Sequence, residues 1–313
     1  MVTKKKRVAW WILVLGFAIV ATTSCSSDDV KEEPVASDKS IVEVATEDSQ
    51  FDDLMIALDK TNLKSTLKSS GTYTVFAPTN AAFKDLFEEL GVSGIYEIPA
   101  QTLYPILLYH VLGFEAKSTD LTTGYVQTLS KNSPGKYPIS LFIEVNDGVR
   151  LNDRAQVIYA DLMAYNGVIH VIDKVLLPPN VVEIAIANSN FSILVSAVVK
   201  AGLVETLSGD GPFTIFAPTN AAFEALFTSL GVSGIEDIPA EDLVPILTYH
   251  VVSGNIRAAD VTSGLVETLN AGNSLEFDVS NSTVTINGDT HVIATDVQGI
   301  NGVIHVIDKV LLP

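Results

Sequence analysis

The stretch Asn166-Gly-Val-Ile-His-Val-Ile-Asp-Lys-Val-Leu-Leu-Pro178 occurs again, residue for residue, at Asn301–Pro313. A β-branched run that opens on Asn-Gly is typical of a strand that follows a tight turn. Thirteen identical residues at a separation of 135 positions indicate that the chain contains the same folding unit twice.

The repetition extends upstream of these two stretches. At an offset of 140 residues, Gly71–Leu112 matches Gly211–Val252 at 28 of 42 positions. The first copy has five extra residues around 131–138, where Pro, Gly and Ser are typical of a surface loop. A period near 140 residues is far longer than the roughly 20–50 residues of solenoid repeats. The sequence therefore predicts two tandem globular domains, 40–178 and 179–313. The short, stiff junction Pro178-Pro179 favours a fixed orientation between them.

Three helices are predicted in the first half of each repeat. Apolar residues at helical spacing define their inward faces. In the first repeat these faces are Phe51, Leu54, Met55 and Leu58; Phe83, Leu86, Phe87 and Leu90; and Leu103, Ile106 and Leu107. Thr79 or Asn80 can cap the second helix, as Asn220 can in the second repeat, and Gly91 can end it. Pro99 is a favoured first-turn residue for the third helix.

The second half of each repeat carries strand patterns. Apolar and polar residues alternate over Tyr137–Val145, and Val149–Leu151 continues after Asn146-Asp147-Gly148. That turn and Asn287-Gly288-Asp289 lack the series of oxygen ligands and the closing Glu of a calcium loop, which favours hairpin turns. The pattern predicts an α+β domain in which helices precede an antiparallel sheet.

Three motifs occur in the same order in both repeats. They are Thr-(Val/Ile)-Phe-Ala-Pro-Thr-Asn-Ala-Ala-Phe, then Tyr-His-Val, then the Asn-Gly-Val-Ile-His-Val-Ile stretch. Together they resemble the fasciclin domain, over essentially all of residues 40–313. The resemblance implies a β-sandwich wedge flanked by helices in each domain. It also implies an extracellular or surface-anchored adhesion module.

The Tyr-His motif supplies the candidate site residues, which are Tyr109, His110, Tyr249 and His250. In eukaryotic fasciclin domains the matching segment is implicated in integrin-mediated adhesion, so the resemblance implies a contact surface. A Tyr-His pair offers flat apolar area with polar tips, which suits such a surface. The alternative, which we favour, is that both side chains face the core and satisfy backbone groups at a helix end. His170 and His305 are interpreted as structural in the same way.

The sequence contains no motif for catalysis, metal binding or a cofactor. A Gly-x-Ser-x-Gly turn, a phosphate-binding loop, a GxGxxG fingerprint and an HExxH helix are all missing. We therefore expect no catalytic residues, no metal site, no cofactor and no enzymatic activity.

The N-terminal residues indicate export. Basic residues precede the uncharged run Val8–Ala21, whose 14 residues suit a signal peptide better than the roughly 20 residues of a membrane-spanning helix. Small residues then precede Cys25, the only cysteine, as in a bacterial lipoprotein cleavage site, although Thr22 stands where Leu is usual. The prediction is a lipoprotein signal peptide over 1–24, lipid on Cys25 and an acidic, disordered tether over 25–39. An ordinary signal peptide beside an incidental cysteine is the alternative.

The net charge of the chain and the composition of its tether indicate which partners it can bind and where in the cell it is located. The chain has 19 basic and 37 acidic residues, so losing the four basic residues of the leader leaves 15 and 37, a charge of −22. Such a chain repels phosphate backbones, which excludes nucleic acid as an expected partner. The tether's acidic cluster resembles the export signals of surface lipoproteins in Bacteroidota-type bacteria, with a merely solvated linker as the alternative. We expect an outer-membrane lipoprotein at the cell surface, with the periplasmic face as the alternative.

These observations predict a lipid-anchored surface protein that acts by binding. Its expected role is adhesion to matrix, to a surface protein or to a polysaccharide, and its membrane contact is the lipid on Cys25. One alternative is a carrier of an apolar ligand, because some fasciclin-type proteins bind carotenoids. A cryptic hydrolase is a third class that the sequence does not support.

Overall fold

The computed structural model describes residues 37–132, 135–280 and 283–313. The predicted signal peptide, Cys25 and most of the tether lie outside these residues. Within the described ranges, no helix is long and apolar enough to cross a membrane.

The first repeat begins with helices and continues mainly as strands. Its helices are α1 (Ile41–Thr46), α2 (Asp52–Lys60), α3 (Leu63–Lys68), α4 (Asn80–Leu90) and α5 (Ala100–Tyr109). Its strands are β1 (Tyr73–Pro78), β2 (Val111–Leu112), β3 (Gly124–Lys131), β4 (Pro138–Asn146), β5 (Gly148–Leu151), β6 (Ala155–Ala164) and β7 (Gly167–Ile172).

The second repeat has the same order of elements. Its helices are α6 (Val181–Ile186), α7 (Ser192–Lys200), α8 (Val204–Ser208), α9 (Asn220–Leu230) and α10 (Ala240–Tyr249). Its strands are β8 (Phe213–Pro218), β9 (Val251–Ser253), β10 (Gly264–Glu267), β11 (Ser274–Ser280), β12 (Thr283–Ile286), β13 (Thr290–Gln298) and β14 (Gly302–Ile307).

The sheets contain both parallel and antiparallel strand pairs, whereas the sequence predicted a purely antiparallel sheet. Strand β1, from the helical half, pairs parallel with β7 on one side and antiparallel with β2 on the other. Strand β8 lies between β14 and β9 in the same way. In the first repeat the pairings close into a barrel, whereas the second forms a sheet in the order β10-β11-β12-β13-β14-β8-β9. The parallel pair was missed because its partners are about ninety residues apart and only the fold brings them together.

The Asn-Gly pair that opens the repeated stretch holds the helical and strand halves together. The side chain of Asn166 accepts a hydrogen bond from Ile41 N at the start of α1 (2.9 Å) and donates one to Leu67 O in α3 (2.7 Å). Gly167 has φ +147° and packs so closely on β1 that a Cβ atom would lie 1.9 Å from the carbonyl oxygen of Tyr73. Glycine is therefore required at this position.

The predicted helix ends are partly confirmed. The side chain of Thr79 caps α4 through Ala82 N (3.2 Å), and Gly91 ends it in the left-handed conformation. Leu90, predicted to face inward, is exposed. It lies at the last helical residue, beyond the buried part of that face.

Asn80 does not cap its own helix, which corrects the interpretation of this residue. Its side chain accepts from Asp53 N (3.0 Å) and donates to Ser49 O (2.8 Å), so it satisfies the start of α2 from across the fold. Asn220 acts alike, accepting from Ile193 N (3.0 Å). The neighbouring Thr already fills the cap position of α4, which leaves the Asn side chain free for this longer contact.

Polar contacts join the two repeats. Ser140 Oγ accepts from Gln298 N (3.0 Å), and Asn188 Nδ2 donates to Tyr125 Oη (3.1 Å). Burial raises the pKa of Tyr125 to about 12, so this phenol stays neutral. These contacts favour the fixed orientation expected from the short junction.

Candidate functional site

Both Tyr-His pairs lie inside the protein. Tyr109 is the last residue of α5 and His110 is its C-terminal cap, and Tyr249 and His250 hold the same places at the end of α10. All four side chains are buried. The structure therefore favours the structural interpretation over that of a contact surface.

Each histidine joins its helix to the end of the repeated stretch. His110 Nδ1 lies 2.7 Å from the carbonyl oxygen of Ile106, and its Nε2 lies 2.9 Å from Leu176 N. The backbone N–H can only donate, so Nε2 accepts and the proton of the neutral ring is on Nδ1. Burial lowers the pKa of His110 to about 4. The ring is therefore a neutral bridge with no free nitrogen.

His250 reproduces this bridge in the second repeat. Its Nδ1 lies 2.8 Å from Ile246 O, and its Nε2 accepts from Leu311 N at 2.9 Å. Burial again lowers the pKa of the imidazole to about 4.

Each tyrosine fixes a hairpin of the sheet. Tyr109 Oη donates to Ser140 O (2.8 Å) and accepts from Asn152 Nδ2 (2.7 Å). Tyr249 Oη makes the same two bonds with Ser274 O (3.0 Å) and Asn287 Nδ2 (2.9 Å). Burial raises the pKa of the Tyr109 phenol.

Asn152 and Asn287 complete these sites, a role that no local sequence pattern indicates. Both have left-handed φ values near 50°, and their Oδ1 atoms accept from Phe142 N and Glu276 N. Asn287 was interpreted only as part of a turn, between the strands now seen as β12 and β13. The available signal was that an Asn recurs at the offset of 135 residues, at positions 152 and 287.

The other two repeated histidines, His170 and His305, also form hydrogen bonds to the backbone through both ring nitrogens. His170 Nε2 donates to Ala116 O (2.9 Å) and its Nδ1 accepts from Asp161 N (3.3 Å). His305 does the same with Ile256 O and Asp296 N. Burial lowers the pKa of both imidazoles. Among the described residues, no group of three His, Cys, Asp or Glu side chains is placed to hold a metal ion.

Exposed aromatic side chains are concentrated in the first repeat. Eight of the nine tyrosines lie there. The four most exposed are Tyr96 (77%), Tyr104 (47%), Tyr159 (60%) and Tyr165 (54%). The counterparts of the first three in the second repeat are Glu236, Val244 and Ala294. The first repeat thus presents a chemically different surface from the second.

The family model of the fasciclin domain matches residues 49–178 and 189–313. The chain belongs to the fasciclin family. This confirms the resemblance drawn from the three motifs, and with it the prediction of two tandem α+β fasciclin domains.

Relatives occur in bacteria and animals. Protein sll1483 of Synechocystis is 53% identical over 133 residues, which are 42% of this chain and 73% of that protein. Human periostin is 30% identical over 82% of this chain, and the pig transforming growth factor-beta-induced protein ig-h3 is 34% identical over 80%. The matches cover only 30% and 36% of those two proteins.

A solved structure also matches. It is a FAS1 domain pair from the insect cell adhesion molecule fasciclin I, with 19% identity and a TM-score of 0.48. The match covers 86% of this chain and 96% of that one.

The second fasciclin domain contains an apolar cavity that is larger than the equivalent apolar cavity of the first. It measures about 110 Å³ and lies among α6, α7, α8, β8 and the start of β9. The equivalent space of the first domain measures about 20 Å³. Apart from His250, the residues that line the larger cavity are all apolar.

Replacing a bridging histidine should destabilise its fasciclin domain. We expect His110→Ala and His250→Ala each to cost about 1–3 kcal/mol, because each leaves a buried N–H and a buried carbonyl without a partner. For domains of this size the loss corresponds to roughly 2–10 °C of melting temperature. Melting curves of the two single variants measure it, and the two losses should be similar. Unchanged melting with lost adhesion would show that the pair is a contact surface after all.

Proposed function

We propose that this chain is a lipid-anchored protein of the cell surface that binds matrix, a surface protein or a polysaccharide through its fasciclin domains. The observation that carries the proposal is the set of exposed tyrosines in the first domain. Tyrosine is enriched at binding interfaces, because it offers a large rigid ring and a polar tip. The three repeated motifs support the proposal, because their resemblance to the fasciclin domain implies an extracellular or surface-anchored adhesion module.

Binding without catalysis is part of this proposal. Four histidines have both ring nitrogens occupied by backbone partners. A general base needs a free ring nitrogen within reach of a substrate. The buried histidines of the two domains therefore support a structural role.

Removing the exposed rings should weaken binding. We expect the triple variant Tyr96→Ser, Tyr104→Ser and Tyr159→Ser to bind envelope and extracellular polysaccharide preparations at least about tenfold more weakly, the effect of losing one moderate hot spot. All three side chains are exposed, so their replacement leaves the buried core unchanged. Sedimentation of the purified protein with such preparations measures the change.

The second domain provides the matched control for this experiment. Replacing Glu236, Val244 and Ala294 by Ser alters equivalent exposed positions that carry no aromatic ring. This control should bind as the parent does. Equal binding by the tyrosine variant and the parent would contradict the proposed surface.

The lipid anchor has its own test. We expect Cys25→Ala to move the protein out of the membrane fraction or to leave it uncleaved, because the acylated residue is then missing. A single acyl chain binds membranes only marginally, so stable attachment requires the several chains of a bacterial lipoprotein. Detergent phase partitioning measures attachment, and protease treatment of intact cells distinguishes the outer from the periplasmic face. A parent protein found in the aqueous phase would contradict the anchor.

A second candidate function is the carriage of an apolar ligand. The cavity of the second fasciclin domain favours it, because binding sites for small molecules are concave and mostly apolar. Organic extraction of the natively purified protein, followed by mass spectrometry and an absorption spectrum, tests this function. A carrier should release a stoichiometric apolar compound, whereas an empty extract would count against it.

A further inference from the structure

We propose that the cavity of the second fasciclin domain binds the end of an unbranched alkyl chain, as in a fatty acid, and that the first domain does not. This inference rests on the candidate carrier function and names its site and ligand class. It follows from a comparison of the two cavities, which occupy equivalent places in the two repeats.

The two cavities share most of their walls. Thirteen residues line the smaller cavity, and the counterpart of every one of them lines the larger cavity. The larger cavity has four additional lining residues, which are Ile186, Val195, Val199 and Val204. Their counterparts in the first domain are Thr46, Met55, Asp59 and Lys64. These four positions therefore distinguish the two sites.

One of the four positions changes the depth of the cavity. Met55 is buried in the core of the first domain, and Val195 takes its place with a shorter side chain. Leu58 is likewise replaced by the smaller Val198. Interiors are close-packed, so lost side-chain volume that the surroundings do not refill leaves a cavity.

The other three positions change the mouth of the cavity. In the first domain Lys64 and Asp59 form an ion pair, and the hydroxyl of Thr46 bonds to Val42 O. In the second domain the same places hold Ile186, Val199 and Val204, which are 57%, 61% and 37% exposed. The first mouth is thus polar and bridged by charges, whereas the second is an apolar rim open to water.

The lining determines which chemistry can enter. His250 is the one polar residue among the lining, and Ile246 O and Leu311 N already occupy its two nitrogens. No group of the wall is therefore free to bond a polar ligand atom, so the inserted part has to be apolar. A polar headgroup would stay in water outside the rim.

Size and shape favour an alkyl chain over a ring system. The cavity is somewhat smaller than the engineered cavity of about 150 Å³ that holds benzene. A methylated ring, such as the end of a carotenoid, exceeds that space. The end of an alkyl chain fits it, and the rest of the chain can lie on the apolar rim and cover the three exposed side chains.

The test measures fatty-acid binding by the full purified chain after delipidation. Dansyl-labelled undecanoic acid is the probe, and octanoic, dodecanoic and hexadecanoic acids are the competitors. We expect one site per chain and stronger competition by the longer acids. The variant Val195→Met fills the cavity, and Val199→Asp with Val204→Lys restores the charged mouth of the first domain. Each change should weaken probe binding by at least about tenfold.

The first domain supplies the matched control. Asp59→Val with Lys64→Val alters the equivalent mouth there and should leave the affinity of the second site unchanged. If Val195→Met overpacks the core, the double variant Val199→Asp with Val204→Lys still tests the site, because both of its positions are exposed. Melting curves of each variant monitor folding. Unaltered binding in both second-domain variants would overturn the location, and two sites in the parent would overturn the asymmetry.

The ligand class and the carrier function can fail separately. If no fatty acid binds but the native extract contains a carotenoid or another ringed compound, the alkyl-chain inference is overturned and the carrier function stands. If no fatty acid binds and the extract is empty, both are overturned.

Discussion

Acidification from pH 6.5 to about 4 is expected to destabilise each fasciclin domain by roughly 3 kcal/mol through its buried histidine, His110 or His250. Burial lowers the pKa of both imidazoles from 6.5 to about 4. Between these values the unfolded chain binds a proton that the folded domain does not bind. Stability therefore falls as the pH decreases through this window, and it is fully present above pH 6.5.

Urea unfolding at a series of pH values measures this dependence. A variant that lacks His250 should lose that part of the slope which belongs to the second domain, while the first domain keeps its own. His170 and His305, whose pKa values burial also lowers, act in the same direction. A free energy of unfolding that stays constant between pH 6.5 and 4.5 would contradict the buried, neutral state of these rings.

The substitution Gly167→Ala is expected to prevent the first fasciclin domain from folding, with a loss of more than about 4 kcal/mol. The new Cβ would lie 1.9 Å from the carbonyl oxygen of Tyr73, and the φ of +147° is one that L side chains rarely adopt. Both problems occur at the parallel contact between β1 and β7, so the sheet cannot relax without breaking that pair.

Gly94→Ala is the matched control, because no other atom lies within 4 Å of the position of its Cβ. Its φ of 170° is ordinary extended backbone. We expect a change within about 0.5 kcal/mol. Calorimetry of the two variants should show the first-domain transition lost in Gly167→Ala alone. A Gly167→Ala protein that melts as the parent does would show that the strand contact is looser than described.

Local sequence patterns predicted many of the helices, strands and turns. They could not predict contacts between residues that are distant in sequence. The inward faces of α2 and α5 and the hairpin turns follow from spacing and turn residues that lie close in sequence. The roles of Asn80 and Asn152 depend on partners 27 and 43 residues away, which no periodicity reveals. The parallel pairing of β1 with β7 is hidden for the same reason.

The Tyr-His pairs show how far repetition alone can be interpreted. An identical pair in two copies is expected both from a fold requirement and from a shared binding surface. The burial of the four side chains, and the bonds of His110 to Ile106 O and Leu176 N, favour the first interpretation. The apolar cavity of the second domain shows the reverse, because its size and mouth depend on positions at which the two repeats differ. The sequence shows that valines stand in the second repeat where the first has Asp59 and Lys64. It does not show that these two positions lie at the mouth of the same cavity.

The central claim is that the Tyr-His pairs support the fold from inside, so that binding must use other surfaces. A pH titration of the histidine side chains by nuclear magnetic resonance tests it most directly, with signals assigned through the single His→Ala variants. We predict that the signals of His110 and His250 stay those of neutral rings down to pH 5 and change only as the pH nears 4, together with unfolding. Reversible titration of either ring near pH 6.5 in the folded protein would contradict the claim.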